Sequence, residues 1–151
     1  IRRDIFHEPC DVNALATAAL YHDASEILTG DLPTPIKYHN AEIMSAYHAV
    51  EDLAVQKLLG MLPPELRETY ADVLSEDKDG DIYPLVKAAD KLSAYIKCIE
   101  ERKAGNNEFL SAEAQTRAAL EASPLPEVQY FLEHFIPAFE RDLDELGAIG
   151  Q

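Results

Sequence analysis

Apolar residues recur every three or four positions along most of this chain, the spacing that places them on one face of an α-helix. Clusters of glycine and proline separate these stretches, and no stretch alternates apolar and polar residues as a half-buried strand does. We therefore expect an all-α fold, a single bundle of about six helices. At 151 residues the chain is long enough to bury one hydrophobic core.

Glycines and prolines set the bounds of the predicted helices. Gly30, Pro33 and Pro35 end the first helix, and Gly105 is a natural C-terminal cap for the fourth. Pro137 is expected to kink the last helix. The predicted helices cover residues 12–28, 40–59, 63–74, 82–103, 112–121 and 128–146, with a charged loop at 76–81.

The charge balance restricts the partners that this chain can bind. A formal net charge of −15 and a pI of about 4.5 argue against a nucleic-acid binder, because phosphate backbones would be repelled. A small phosphorylated substrate held at a metal ion is compatible with this charge. Two cysteines are too few for a disulfide framework, and no signal peptide or membrane-spanning stretch is visible. We expect a cytoplasmic protein without nucleic-acid or membrane partners.

Three ionisable residues fall on the apolar stripe of the first predicted helix. At about 100° per residue, His22, Asp23 and Glu26 lie on the same stripe as apolar residues such as Leu20 and Ile27. We expect this stripe to face the interior, where unpaired charges are costly. A divalent cation suits a neighbouring imidazole and carboxylate, and Glu26 follows both by one turn. We predict a metal site with His22 and Asp23 as ligands. The alternative is a pair satisfied by hydrogen bonds in the core.

Asp90 is a further candidate ligand, at the edge of the apolar stripe of the fourth predicted helix. A carboxylate at this position serves either as a metal ligand or as the partner of a basic group. The divalent cations that bind imidazole also accept carboxylate oxygens as ligands. Lys37 and Lys91 are expected to be solvated helix ends or to contact a phosphate. The residues alone leave these alternatives open.

Taken together, the His-Asp pair and the distant Asp resemble the signature of the HD-domain phosphohydrolases. Residues 21–35 (YHDASEILTGDLPTP), with 87–95 (KAADKLSAY) and 104–109 (AGNNEF), are similar to the bacterial 5′-deoxynucleotidases of the YfbR type. The resemblance covers nearly the whole chain. It implies a homodimeric enzyme with an HD domain over residues 1–151. Its expected reaction is the removal of the 5′-phosphate from deoxyribonucleoside 5′-monophosphates, which yields deoxynucleoside and phosphate.

The resemblance also implies roles for individual residues. His22, Asp23 and Asp90 are expected to hold one divalent transition metal, with cobalt, manganese, zinc and nickel not distinguished. Glu26 is the expected catalytic residue, which orients or deprotonates the attacking water. The expected substrate contacts are Asp23, Asp31, Leu32, Pro33, Thr34 and Asp90.

One feature of the family pattern is not found in this sequence. The family has an additional metal-binding His upstream of the His-Asp pair, with an Arg and a Trp that orient the substrate. His7 lies only 15 positions before His22, beside Pro9 in a connector, and does not fit that role. Because the chain also begins at Ile1, we expect that N-terminal helices are missing. Two alternatives stay open: an HD phosphohydrolase acting on a triphosphate or signalling nucleotide, and a non-catalytic helical interaction module.

Overall fold

The computed structural model describes residues 1–37, 39–75, 80–142 and 144–145, and every regular element named in this part of the chain is a helix. Six helices have nine or more residues and three have four or five, which confirms the expected all-α fold. In chain order the helices are α1 (Val12–Tyr21), α2 (Glu26–Thr29), α3 (Thr34–Lys37), α4 (Ala41–Met61), α5 (Pro64–Leu74), α6 (Tyr83–Lys103), α7 (Leu110–Glu121), α8 (Pro126–His134) and α9 (Ile136–Glu140).

The first predicted helix, 12–28, is interrupted at His22. A turn over residues 22–25 separates α1 from α2, so the prediction of one continuous helix is wrong. The His22 ring nitrogen Nδ1 lies 2.8 Å from the backbone oxygen of Ala19. This side chain competes for a carbonyl that the next helical turn would otherwise use, which explains why the helix stops here.

The last predicted helix, 128–146, is also divided. α8 ends at His134, and α9 starts at Ile136 with Pro137 in its first turn. Proline has no N–H to donate and its ring clashes with the carbonyl four residues earlier, so the chain starts a new helix rather than bending one. The predicted kink is therefore a break. The predicted end at Leu146, and residues 76–79 of the predicted charged loop, lie outside the described residues.

The chain forms two compact units, of which the first is Val12–Tyr83. In this unit α2 and α3 pack against α4, and α5 packs against α1 and α4. Asn40 caps α4, because its side-chain oxygen accepts a hydrogen bond from the backbone N–H of Ile43 at 2.8 Å. The rings of Tyr21 and Tyr70 meet edge to face, with centroids 6.3 Å apart.

The second unit contains residues 1–11 and the chain from Pro84 onward. Its core is formed by side chains of α6, α7, α8 and α9: Leu92, Tyr95, Ile99, Leu120, Val128 and Ile136. Burial of each large aliphatic side chain stabilises the fold by about 1.5–3 kcal/mol. The apolar spacing in the sequence predicts Ala89 and Ser93 on the inner face of α6, but both residues are exposed. The buried face of α6 is rotated from the one that the apolar pattern predicts, because Tyr95 and Cys98 are buried instead.

A buried carboxylate, Glu127, lies in the first turn of α8. The Arg2 guanidinium donates to its Oε1 from Nη1 at 3.2 Å. Among the described residues, no group hydrogen-bonds to its Oε2. Arg2 thus forms an ion pair with this carboxylate, which ties the N-terminal segment to α8. In the described part of the chain, no helix is both long and apolar enough to cross a membrane.

Candidate active site

His22 is held in one orientation by the turn that follows α1. Its Nδ1 lies 2.8 Å from the Ala19 backbone oxygen. Because a carbonyl oxygen only accepts, the hydrogen of this bond belongs to Nδ1, and the neutral ring then carries its lone pair on Nε2. A histidine that ligates a metal through one nitrogen commonly donates its other N–H in this way.

The lone-pair nitrogen of His22 faces a carboxylate. Its Nε2 lies 3.0 Å from Oδ2 of Asp23. Two lone-pair atoms at this separation repel each other unless a proton or a cation neutralises them. Two ligand atoms that are each about 2.1 Å from one shared metal ion lie about 3.0–3.4 Å apart, depending on the angle between them. The two side chains therefore fit a divalent transition metal, and both belong to a His/Asp group that can hold one.

The burial of this pair differs from the expectation. The His22 side chain is 17% exposed, but the Asp23 side chain is 52% exposed. Leu20 and Ile27, which share the predicted apolar stripe, are 79% and 76% exposed. The prediction that the whole stripe faces the interior is wrong. The turn at residues 22–25 takes Ile27 out of the helical periodicity of α1, and Leu20 is exposed although it lies within α1.

Glu26 begins α2 and is half-buried. Burial raises the pKa of its carboxyl above the ordinary value, and the negative charges of Asp23 and Asp31 raise it further. The positive charge of Lys37 acts in the opposite direction. A carboxyl group that holds its proton more readily is better suited to proton transfer near neutral pH.

The segment that the sequence assigns to substrate contact follows α2. Gly30 has φ +69°, a conformation that favours glycine, and its oxygen accepts a hydrogen bond from Thr29 Oγ1 at 2.9 Å. Asp31 and Pro33 are exposed and Leu32 is half-buried. Thr34 begins α3, so the segment predicted as a helix stop contains a short helix of its own. The exposed carboxylate of Asp31 is accessible to a ligand.

Comparison with known proteins identifies the family. The sequence model of the family described as "5′-deoxynucleotidase YfbR-like" matches residues 1–139. The chain belongs to this family. Proteins named 5′-deoxynucleotidase YfbR from Shigella flexneri and from Escherichia coli (strain K12 / DH10B) are each 52% identical over 140 residues, covering 91% of this chain and 70% of the relative.

The fold agrees with that family. A solved structure of an HD-domain phosphohydrolase from Listeria innocua superimposes with a TM-score of 0.76 at 26% sequence identity. The match covers 91% of this chain and 67% of the Listeria chain. The expected all-α HD-domain fold and the predicted resemblance to the YfbR-type 5′-deoxynucleotidases are both confirmed. HD-domain phosphohydrolases are metal-dependent enzymes, which agrees with the donor set of His22 and Asp23.

Two other residues considered from the sequence lie in the second unit. Asp90 is on α6, as predicted, with an exposed side chain. Its role as a metal ligand stays a prediction. His7 is exposed, has φ +56° and lies outside the helices, as expected for a residue of the connector.

Sequence reasoning missed the contacts that Lys37 makes with Tyr47 and Glu51, and the bond from Tyr47 to Gly30. Lys37 is not a purely solvated helix end, because its Nζ lies 3.0 Å from Oε1 of Glu51 and 4.5 Å from the centroid of the Tyr47 ring. The Tyr47 hydroxyl donates to the Gly30 oxygen at 3.2 Å. The spacing of Tyr47 and Glu51, four residues apart on α4, was the available signal, since such residues share one helix face.

Proposed function

We propose that this protein is a metal-dependent phosphohydrolase that removes the 5′-phosphate from deoxyribonucleoside 5′-monophosphates. The observation that carries the proposal is the His22–Asp23 pair, a preoriented imidazole and a carboxylate 3.0 Å apart in a chain of the 5′-deoxynucleotidase family. A single HD domain over residues 1–151 is part of the proposal, and the family match over residues 1–139 supports it.

The proposed metal ligands are Nε2 of His22 and the carboxylates of Asp23 and Asp90. The likeness to the HD signature supports Asp90, and one imidazole with two carboxylates suits cobalt, manganese, zinc or nickel better than calcium. When bound, the ion polarises the phosphoryl oxygens and lowers the pKa of the attacking water. The hydrogen bond from Nδ1 to Ala19 keeps the His22 ring oriented for this role.

The remaining steps belong to side chains of the first unit. Glu26 orients the attacking water and accepts its proton, which its raised pKa favours. Asp31 accepts hydrogen bonds from the sugar hydroxyl, and the backbone of Leu32, Pro33 and Thr34 forms the wall against which the nucleoside rests. Asp23 and Asp90 also border the phosphate.

We further propose a cytoplasmic homodimer that binds no nucleic acid. Cys10 and Cys98 are both free thiols, which is typical of a reducing compartment. The net charge of −15 disfavours contact with a polyanion. Several large apolar side chains of the first unit are exposed in the single chain, which supports a protein partner surface. They include Leu20, Ile27, Leu53 and Met61.

A phosphate-release panel tests the proposal. The metal-loaded protein is assayed with deoxyribo- and ribonucleoside mono-, di- and triphosphates at equal concentrations. Deoxyribonucleoside 5′-monophosphates should release phosphate fastest. Faster release from a triphosphate, or equal rates on ribonucleotides, would instead favour an HD phosphohydrolase of another specificity. A protein that releases phosphate from no nucleotide and binds no stoichiometric metal ion would favour a non-catalytic helical module.

A further inference from the structure

Three side chains fasten both ends of the proposed substrate segment to α4, and we call Lys37, Tyr47 and Glu51 the loop clamp. At the start of the segment, the Tyr47 hydroxyl donates a hydrogen bond to the backbone oxygen of Gly30 at 3.2 Å. At its end, Lys37 lies in the last turn of α3. The segment between these two points carries Asp31, Leu32, Pro33 and Thr34.

The Lys37 end of the clamp is largely shielded from water. Its ammonium nitrogen lies 3.0 Å from Oε1 of Glu51, and the two side chains are 22% and 21% exposed. The same nitrogen lies 4.5 Å from the centroid of the Tyr47 ring. Ion pairs and cation–π contacts stabilise more when they are partly desolvated than at an open surface. One ammonium group thus holds two residues of the same α4 face.

The clamp also affects the charge near the proposed catalytic residue. Burial raises the pKa of Glu26, the negative charges of Asp23, Asp31 and Glu51 raise it further, and the positive charge of Lys37 lowers it. The substrate adds further negative charge in its phosphate. The ammonium group of Lys37, held by Glu51, offsets part of the repulsion between these carboxylates and the phosphate.

We propose that Lys37 and Tyr47 are positioning residues, which hold residues 30–37 in the conformation that binds the nucleotide. The inference rests on the proposed function, because it concerns how the same site binds its substrate. A segment fixed at both ends, with prolines at positions 33 and 35, loses little conformational entropy when a ligand binds. Loosening the clamp should therefore weaken nucleotide binding more than it slows the chemical step.

Steady-state kinetics of the metal-loaded protein on a deoxyribonucleoside 5′-monophosphate test this inference. Lys37→Met should raise KM about tenfold and leave kcat within about twofold, because substrate binding must then also order the segment. Lys37→Arg keeps the charge and should stay within about twofold of wild type. Tyr47→Phe loses only the bond to Gly30, and its KM should rise about threefold. Lys57→Met, an exposed lysine on α4, is the matched control.

Hydrogen exchange provides a second measurement that does not depend on activity. The amides of residues 31–37 should exchange faster in Lys37→Met and at the wild-type rate in Lys57→Met, with metal content unchanged in both. Unchanged exchange in Lys37→Met, or faster exchange with an unchanged KM, would overturn the positioning role, as would a fall in kcat alone. A wild-type protein that releases no phosphate from deoxyribonucleotides would refute the proposed function, and this inference with it.

Discussion

Two neighbouring arginines offer a matched test of how burial changes the energy of an ion pair. Nη1 of Arg2 lies 3.2 Å from Oε1 of Glu127. The Glu127 side chain is 10% exposed and the Arg2 side chain is 31% exposed. Arg3 pairs with Asp4 at 2.6 Å, where the side chains are 55% and 64% exposed. We predict that Arg2→Met lowers the free energy of unfolding far more than Arg3→Met does, although the chemical change is the same.

The expected loss of stability depends on the carboxylate that each variant leaves without its arginine. Removing one partner of a buried pair costs about 3–5 kcal/mol. The partial exposure of Arg2, and the position of Glu127 at the positive N-terminal end of α8, reduce this to about 2 kcal/mol. Arg3→Met leaves a hydrated Asp4, so its effect on stability should be small beside that of Arg2→Met, as is usual for an exposed pair.

Urea unfolding and thermal unfolding, both followed by circular dichroism, measure the two effects. For a chain of this size, a loss of about 2 kcal/mol lowers Tm by roughly 4–8 °C. Adding Glu127→Gln to Arg2→Met should recover part of the loss, because no buried charge is then left without its partner. Equal unfolding midpoints for Arg2→Met and Arg3→Met, or a double variant less stable than Arg2→Met alone, would refute the reasoning.

Two further predictions concern the proposed catalytic residue and the core. Glu26→Gln should keep its metal ion, as measured by elemental analysis. Its kcat should fall by a factor on the order of 10²–10⁴, the usual contribution of a general base. Loss of the metal ion in this variant would instead make Glu26 a ligand. Ile99→Ala should lower the free energy of unfolding in urea by about 2–5 kcal/mol, because this side chain is fully buried. Lys97→Ala, at an exposed position on the same helix, should change it by less than about 0.5 kcal/mol, and similar losses in both would contradict the described core.

The helices were predictable where apolar spacing and the flanking residues agree. The bounds of α4, α5, α6 and α7 lie within two residues of the predicted ones, because Asn40, the prolines at 63 and 64, and Gly105 mark their ends through local backbone chemistry. The break at His22 was not predictable from periodicity. It depends on a ring-to-carbonyl hydrogen bond, which apolar spacing does not encode.

The candidate site was predictable in part for a related reason. His22 and Asp23 are adjacent in the chain, and Glu26 follows within a turn, so their proximity required no knowledge of packing. The contact of Lys37 with Glu51 joins residues 14 positions apart and depends on how α3 packs on α4. The four-residue spacing places Tyr47 and Glu51 on one helix face, but no pattern in the sequence shows that Lys37 packs against that face, and the contact was therefore missed.

The central claim is that His22 and Asp23 hold the metal ion on which phosphate release depends. Its most direct test is phosphate release from deoxyadenosine 5′-monophosphate by protein treated with a chelator, before and after a divalent transition metal is restored. Wild-type activity should disappear on chelation and return with the metal, whereas Asp23→Ala and His22→Ala should stay at least about 100-fold lower at the same metal concentration. Full activity in the chelated protein, or wild-type rates in both variants, would contradict the claim.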